Sequence, residues 1–100
     1  MAEFNKQIAD EVLRLLKPYA PKKVGIFGSY ARGENTSESD LDILISFKNR
    51  IGLLKLVQIQ QELSDKLGIE VDLITENSLK NPTLKSLIDK DLIVVFDEEK

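Results

Sequence analysis

Apolar residues recur along the chain with two different periods, and their alternation lays out the fold. Phe4, Ile8, Val12, Leu15 and Tyr19, widened by Ala9 and Leu16, follow the spacing of an amphipathic helix that Pro18 and Pro21 bring to an end. Such a stripe serves either as a partner-binding surface or as a face packed on a sheet, and we read it as the packed face. Lys23-Val24-Gly25-Ile26-Phe27 is a short apolar run between those prolines and Gly28, which predicts a buried strand. Residues 29–32 leave room for one helical turn, and residues 34–39 are polar and loop-like. From Leu41 to Phe47 the pattern alternates: Leu41, Ile43, Ile45 and Phe47 share one face of a strand, and Asp40, Asp42, Leu44 and Ser46 the other.

After a loop at residues 48–52, Leu53, Leu56, Val57, Leu63 and Leu67 form a second helical stripe, with Gly68 where a C-terminal cap belongs. Residues 69–74 predict a third strand. Asn81-Pro82 reads as the N-cap and first residue of a last helix carrying Leu84, Leu87 and Ile88. Residues 92–96 predict a fourth strand, and Asp97 to Lys100 a charged tail. The order predicts an α/β (α+β) chain: a single small domain over residues 1–100, with a mixed four-stranded sheet and helices packed mainly on one face.

Composition narrows the chemistry. One hundred residues, 42% hydrophobic and 31% charged, suit one globular core. The net charge is −3, and Lys22, Lys23, Lys48, Lys55, Lys80 and Lys85 are interspersed with acids, so no direct nucleic-acid binding is expected. The chain has no cysteine and no histidine, which removes disulfides, thiolate and Ser-His-Asp catalysis and the usual zinc sites together. What remains is carboxylates, hydroxyls, Lys and Arg, and any metal must be a hard cation on oxygen ligands. No apolar run approaches the roughly 20 residues of a membrane span, and residues 1–5 do not open like a signal peptide. No membrane contact and a cytoplasmic location are therefore expected.

Two stretches carry candidate chemistry. A strand that runs into Gly28-Ser29 and then a helical turn aims backbone N–H groups at one point, which suits a phosphate. The spacing from Gly28 to Gly33 is that of a P-loop, but Glu34 and Asn35 stand where that motif needs Lys and Ser/Thr. The second stretch is Ser39-Asp40-Leu41-Asp42. Residues i and i+2 of a strand project from one face, roughly 6.5 Å apart at the Cα atoms, so two carboxylates there can close on one ion or bracket two. The competing reading is that Asp40 caps a loop and Asp42 is solvated. Leu44 and Ile45 exclude an EF-hand loop.

Asp72, between the apolar residues Val71 and Leu73, shifts the balance, because a lone carboxylate in a buried strand is costly without a partner. If its strand lies beside the one that follows Asp40, all three acids share a face; Glu70 is the competing candidate. Three acids beside a phosphate-binding turn is the arrangement used for metal-assisted phosphoryl transfer.

Gly28-Ser29-Tyr30-Ala31-Arg32-Gly33 followed by Ser39-Asp40-Leu41-Asp42 resembles the Gly-Ser…Asp-x-Asp signature of the DNA polymerase beta-like nucleotidyltransferases. At this length the chain is similar to the minimal nucleotidyltransferases of HEPN–MNT toxin–antitoxin modules. The resemblance implies that Gly28 and Ser29 contact a triphosphate, that Asp40 and Asp42 bind magnesium, and that Asp72 completes the site. Two Mg²⁺ ions and ATP as substrate are implied, with AMP passing to a tyrosine of a HEPN-domain toxin. Arg32 either neutralises phosphate charge or forms a salt bridge to Glu34 or Glu38, and Tyr30 is read as a packing residue. The alternative is a non-catalytic antitoxin that neutralises its toxin by occlusion. No residue visibly reads the base of the nucleotide.

Overall fold

The helical stripe at the start of the chain is buried as its spacing requires. In the computed structural model, which describes residues 6–99, Ala9, Val12, Leu15 and Leu16 of α1 (Lys6–Leu16) are buried. Phe4, the first member of the predicted stripe, lies outside the described residues. Pro18 sits in a short 3-10 turn, Lys17–Tyr19, and Ala20 takes a left-handed conformation with φ 53° before the chain straightens into β1 (Pro21–Phe27). Then come α2 (Ser29–Arg32), β2 (Leu41–Phe47), α3 (Leu53–Leu67), β3 (Val71–Thr75), α4 (Pro82–Asp91) and β4 (Ile93–Asp97). Gly68, at φ 72°, ends α3 with its N–H on the Ser64 carbonyl, and the Asn81 side chain caps α4 at the N–H groups of Thr83 and Leu84.

The sheet has the order β3-β2-β1-β4. β1 runs antiparallel to both β2 and β4, and β2 runs parallel to β3, so the sheet is mixed as predicted. Alternation decides what each face does. Leu41, Ile43 and Ile45 of β2 join Val24, Ile26, Val71 and Leu73 in one core with α1 and with Ile59 and Leu63 of α3. Each such fully buried side chain contributes roughly 1.5–3 kcal/mol over an exposed one.

The opposite face is only partly covered. Leu44 and Ile88 are buried but stand outside that core. Gly25 lies between Val24 and Ile26 and so faces this second side, where Leu92 comes over it; a Cβ on Gly25 would sit 2.6 Å from Leu92 Cδ1. The helices α1 and α3 thus cover one face, and the end of α4 rests on the other.

Element edges differ from the sequence expectation by one or two residues. β1 begins at Pro21, which pairs with Phe47. β3 begins at Val71, because residues 68–70 are spent turning out of α3, with the Glu70 carbonyl accepting from Leu41 N–H at 2.8 Å. β3 is an edge strand, and α3 closes that edge: Val71 N–H donates to Ser64 Oγ at 3.0 Å and Leu73 N–H to Gln60 Oε1 at 2.9 Å.

Candidate active site

The last residue of β1, Phe27, pairs with Asp42 across the sheet, so the turn that follows it opens directly beside Asp42. Gly28 has φ 76° and ψ −153°, a conformation essentially confined to glycine. It is excluded from carrying a side chain a second way, since a Cβ there would lie 2.3 Å from Asp42 Oδ2. From this bend α2 springs: Arg32 N–H donates to the Gly28 carbonyl at 3.1 Å, and Gly33, at φ 71°, closes the turn. Glu34 N–H returns to the Ser29 carbonyl at 2.9 Å. Ser29 is half-buried at the start of α2, and Tyr30 is buried in the core, which makes it the packing residue that the sequence predicts.

The carboxylates arrive from two strands. In the loop before β2, Thr36 N–H donates to Ser39 Oγ at 2.8 Å and Ser39 N–H to the Thr36 carbonyl at 3.1 Å, which sets Asp40 at the mouth of β2. Asp42 and Asp72 are register partners in the parallel β2–β3 pair. Their side chains leave the same face, on strands roughly 4.8 Å apart. Asp72 therefore lies on the same face of the sheet as Asp42 and directly beside it in register. Glu70, the competing candidate, is exposed and precedes β3.

The electrostatics centre on Asp42. Burial first, then repulsion from Asp72 and Asp40, together raise its pKa from 3.8 to about 6 against the opposing pull of Arg32. One expectation is corrected here: Asp72 is exposed, and the desolvation that its apolar neighbours suggested falls on Asp42. The physical reason is position, since β3 is the sheet's edge and β2 is interior. Among the described residues no group of three or more acidic side chains is placed closely enough to hold a metal ion as it stands. The donor set nonetheless suits a hard divalent cation. Every nearby ligand atom is an oxygen, and Gly28 leaves open the space in front of Asp42 Oδ2 that any other residue would fill.

Arg32 is engaged by two carboxylates. Its Nε–H donates to Glu34 Oε1 at 2.7 Å and its Nη1–H to Asp91 Oδ2 at 2.6 Å. The sequence offered Glu34 or Glu38; Asp91, from the end of α4, had no sequence signal, because the docking of α4 beside α2 leaves no mark in a periodicity. A cleft of about 340 Å³ opens next to Asp40, bordered by Ser39 and Glu70. A larger cleft, about 480 Å³, lies around Phe47, Lys48, Arg50 and Thr75. That one belongs to the other end of β2, away from the acids, and none of Asp40, Asp42 or Asp72 borders it.

Known proteins resemble this chain in sequence and in fold. Residues 5–95 match the nucleotidyltransferase domain family. The chain is 45% identical over 95 residues to a candidate protein adenylyltransferase of Methanocaldococcus jannaschii, an alignment covering 95% of this chain and 97% of the relative. It is 38% identical over 74 residues to protein adenylyltransferase MntA of Thermococcus cleftensis, covering 74% of this chain and 75% of that one. In fold it matches a chain from the complex of tri-AMPylated Shewanella oneidensis HEPN toxin with MNT antitoxin, with a TM-score of 0.75, 18% identity, and coverage of 94% of this chain and 73% of that one. With a match over nearly its whole length and a Gly-Ser bend set against in-register acids, this chain belongs to the nucleotidyltransferase domain family.

Proposed function

We propose that this protein is a Mg²⁺-dependent protein adenylyltransferase, which moves AMP from ATP to a tyrosine hydroxyl of a cognate HEPN toxin and so acts as its antitoxin. The observation that carries the reading is the register pairing of Asp42 with Asp72 beside the Gly28-Ser29 bend. Support for the donor and acceptor comes from the relatives named protein adenylyltransferases and from the tri-AMPylated toxin bound to a structural neighbour. The domain spans residues 1–100 in this reading, works in the cytoplasm and binds no nucleic acid.

The chain's own groups then take these roles. Backbone N–H groups of the turn and the Ser29 hydroxyl donate to the β- and γ-phosphates, and Arg32 offsets their charge. Asp40, Asp42 and Asp72 would hold Mg²⁺, with two ions expected, and the metal would supply neutralisation of the polyphosphate and acidify the attacking hydroxyl. The acceptor oxygen bonds to the α-phosphorus as the bond to the bridging oxygen breaks, and pyrophosphate leaves. Asp72, exposed on the edge strand, is open to the incoming hydroxyl and accepts its proton. Asp42, the most buried of the three, is the fixed point to which the other two are referred.

The test is to incubate the protein with the HEPN toxin encoded beside it, Mg²⁺ and each nucleoside triphosphate in turn, and weigh both proteins. An adenylate-sized increment on the toxin, lost with Asp42→Asn, is expected. A toxin silenced equally by wild type and by Asp42→Asn, with no increment from any nucleotide, establishes occlusion instead.

A further inference from the structure

Arg32 ends a four-residue helix, and it is the cation whose field offsets the repulsion at Asp42. An arginine on so short a support, half in solvent, ordinarily samples many rotamers. Two bonds prevent that here, from Nε–H to Glu34 and from Nη1–H to Asp91. A guanidinium has five N–H groups. Two are used, which leaves one on Nη1 and two on Nη2 to donate to phosphate oxygens.

The two carboxylates are not equivalent. Glu34 lies just beyond Gly33 and is exposed, so it travels with α2. Asp91 comes from 59 residues away, its side chain is only 26% exposed, and the next residue, Leu92, is packed over Gly25 of β1. Asp91 is thus fixed to the strand that leads into Gly28. An exposed ion pair contributes little to folding, so the effect of this one lies in where it holds the arginine.

We propose that Asp91 is a positioning residue for the nucleotide: by holding Nη1, it keeps the remaining N–H groups of Arg32 turned to the polyphosphate in the bend at residues 28–33. Asp91 has this role on condition that the nucleotidyltransferase reading above holds. The opposite effect is equally clear in kind. If Asp91 merely competes with phosphate for Arg32, removing it tightens nucleotide binding.

The experiment compares wild type, Asp91→Asn, Asp91→Glu, Arg32→Ala and the Arg32→Ala/Asp91→Asn double variant, reading ATP binding by calorimetry, steady-state AMP transfer and the unfolding midpoint. Asp91→Asn is expected to weaken ATP binding and raise KM for ATP by about tenfold, with kcat held within about twofold, the signature of lost ground-state binding. The unfolding midpoint stays put, Asp91→Glu restores most of the affinity, and Asp91→Asn has no further effect once Arg32 is gone. Unchanged or tighter ATP binding by Asp91→Asn overturns the proposal, and so does a loss that persists in the Arg32→Ala background. A wild type that binds ATP but modifies no acceptor removes the adenylyltransferase reading and leaves the binding comparison to decide Asp91. A wild type that binds no ATP removes both.

Discussion

Replacing Asp42 by asparagine should abolish AMP transfer and, at neutral pH, make the protein more stable. Asp42 titrates near 6 in the fold and near 3.8 in an unfolded chain, because it is partly buried and faces Asp72 and Asp40. Below pH 3.8 both states hold the proton and the group is neutral to folding. As pH rises past 3.8, the unfolded chain gives up its proton first, and stability falls until the folded carboxyl also ionises near 6. Above that the full penalty is present. The difference in pKa corresponds to about 3 kcal/mol as an upper bound. Asp42 is only half-buried, so water screens much of this, and about 1–2 kcal/mol is the reasonable expectation.

Asparagine keeps the shape and never ionises. For a domain of this size, a gain of 1 kcal/mol moves the unfolding midpoint by roughly 4–8 °C. The assay is urea unfolding of both proteins, free of divalent ions, from pH 4 to pH 8. The gain from Asp42→Asn should be largest above pH 6.5 and vanish towards pH 4. An Asn variant that is no more stable than wild type at pH 7.5, or a gain that does not change with pH, refutes the reasoning.

Other perturbations separate the remaining parts of the site. Gly28→Ala should cost about 1–3 kcal/mol from backbone strain alone and lose transfer activity, since its Cβ displaces the Asp42 carboxylate; full activity in this variant would remove the bend from the mechanism. Adding Mg²⁺ should raise the unfolding free energy of wild type by about 2.7 kcal/mol at a hundred times its dissociation constant, and leave that of Asp42→Asn unmoved in the same titration. Gln60→Ala should cost about 1–3 kcal/mol in urea unfolding, because the part-buried Leu73 N–H loses its acceptor, and should speed hydrogen exchange at that amide.

Much of this was written in local patterns. The alternation from Leu41 to Phe47 returned as β2 with the same bounds, and Gly68 and Asn81-Pro82 ended and began helices where their cap chemistry said. Gly28, Asp40 and Asp42 could be placed because they lie within one hairpin-like span whose ends meet by chain connectivity. Asp72 needed an assumption, that its strand neighbours β2, which a sequence of this kind supports only through the intervening helix. Its exposure was misjudged because apolar neighbours in sequence say nothing about whether a strand is central or at the edge. Asp91 was invisible for a related reason: its partner, Arg32, is reached by packing the end of α4 on the second face of the sheet, where of the predicted stripe Leu84, Leu87 and Ile88 only Ile88 is buried.

The alignment of Asp42 with Asp72 depends wholly on strand register, because a slip of one residue in β3 turns Asp72 into the core and Leu73 out to solvent. Hydrophobic alternation in β3 resists that slip, but its run of five residues is short. The stronger constraint is polar. The Glu70 carbonyl takes the Leu41 N–H on one side of the strand, while Ser64 and Gln60 take the N–H groups of Val71 and Leu73 on the other. A shifted strand would offer the N–H groups of different residues to those acceptors, and donors in part-buried positions would be left without partners. The helix that closes the sheet's edge therefore also fixes which acid faces Asp42, and the geometry of the site depends on two uncharged side chains that never touch it.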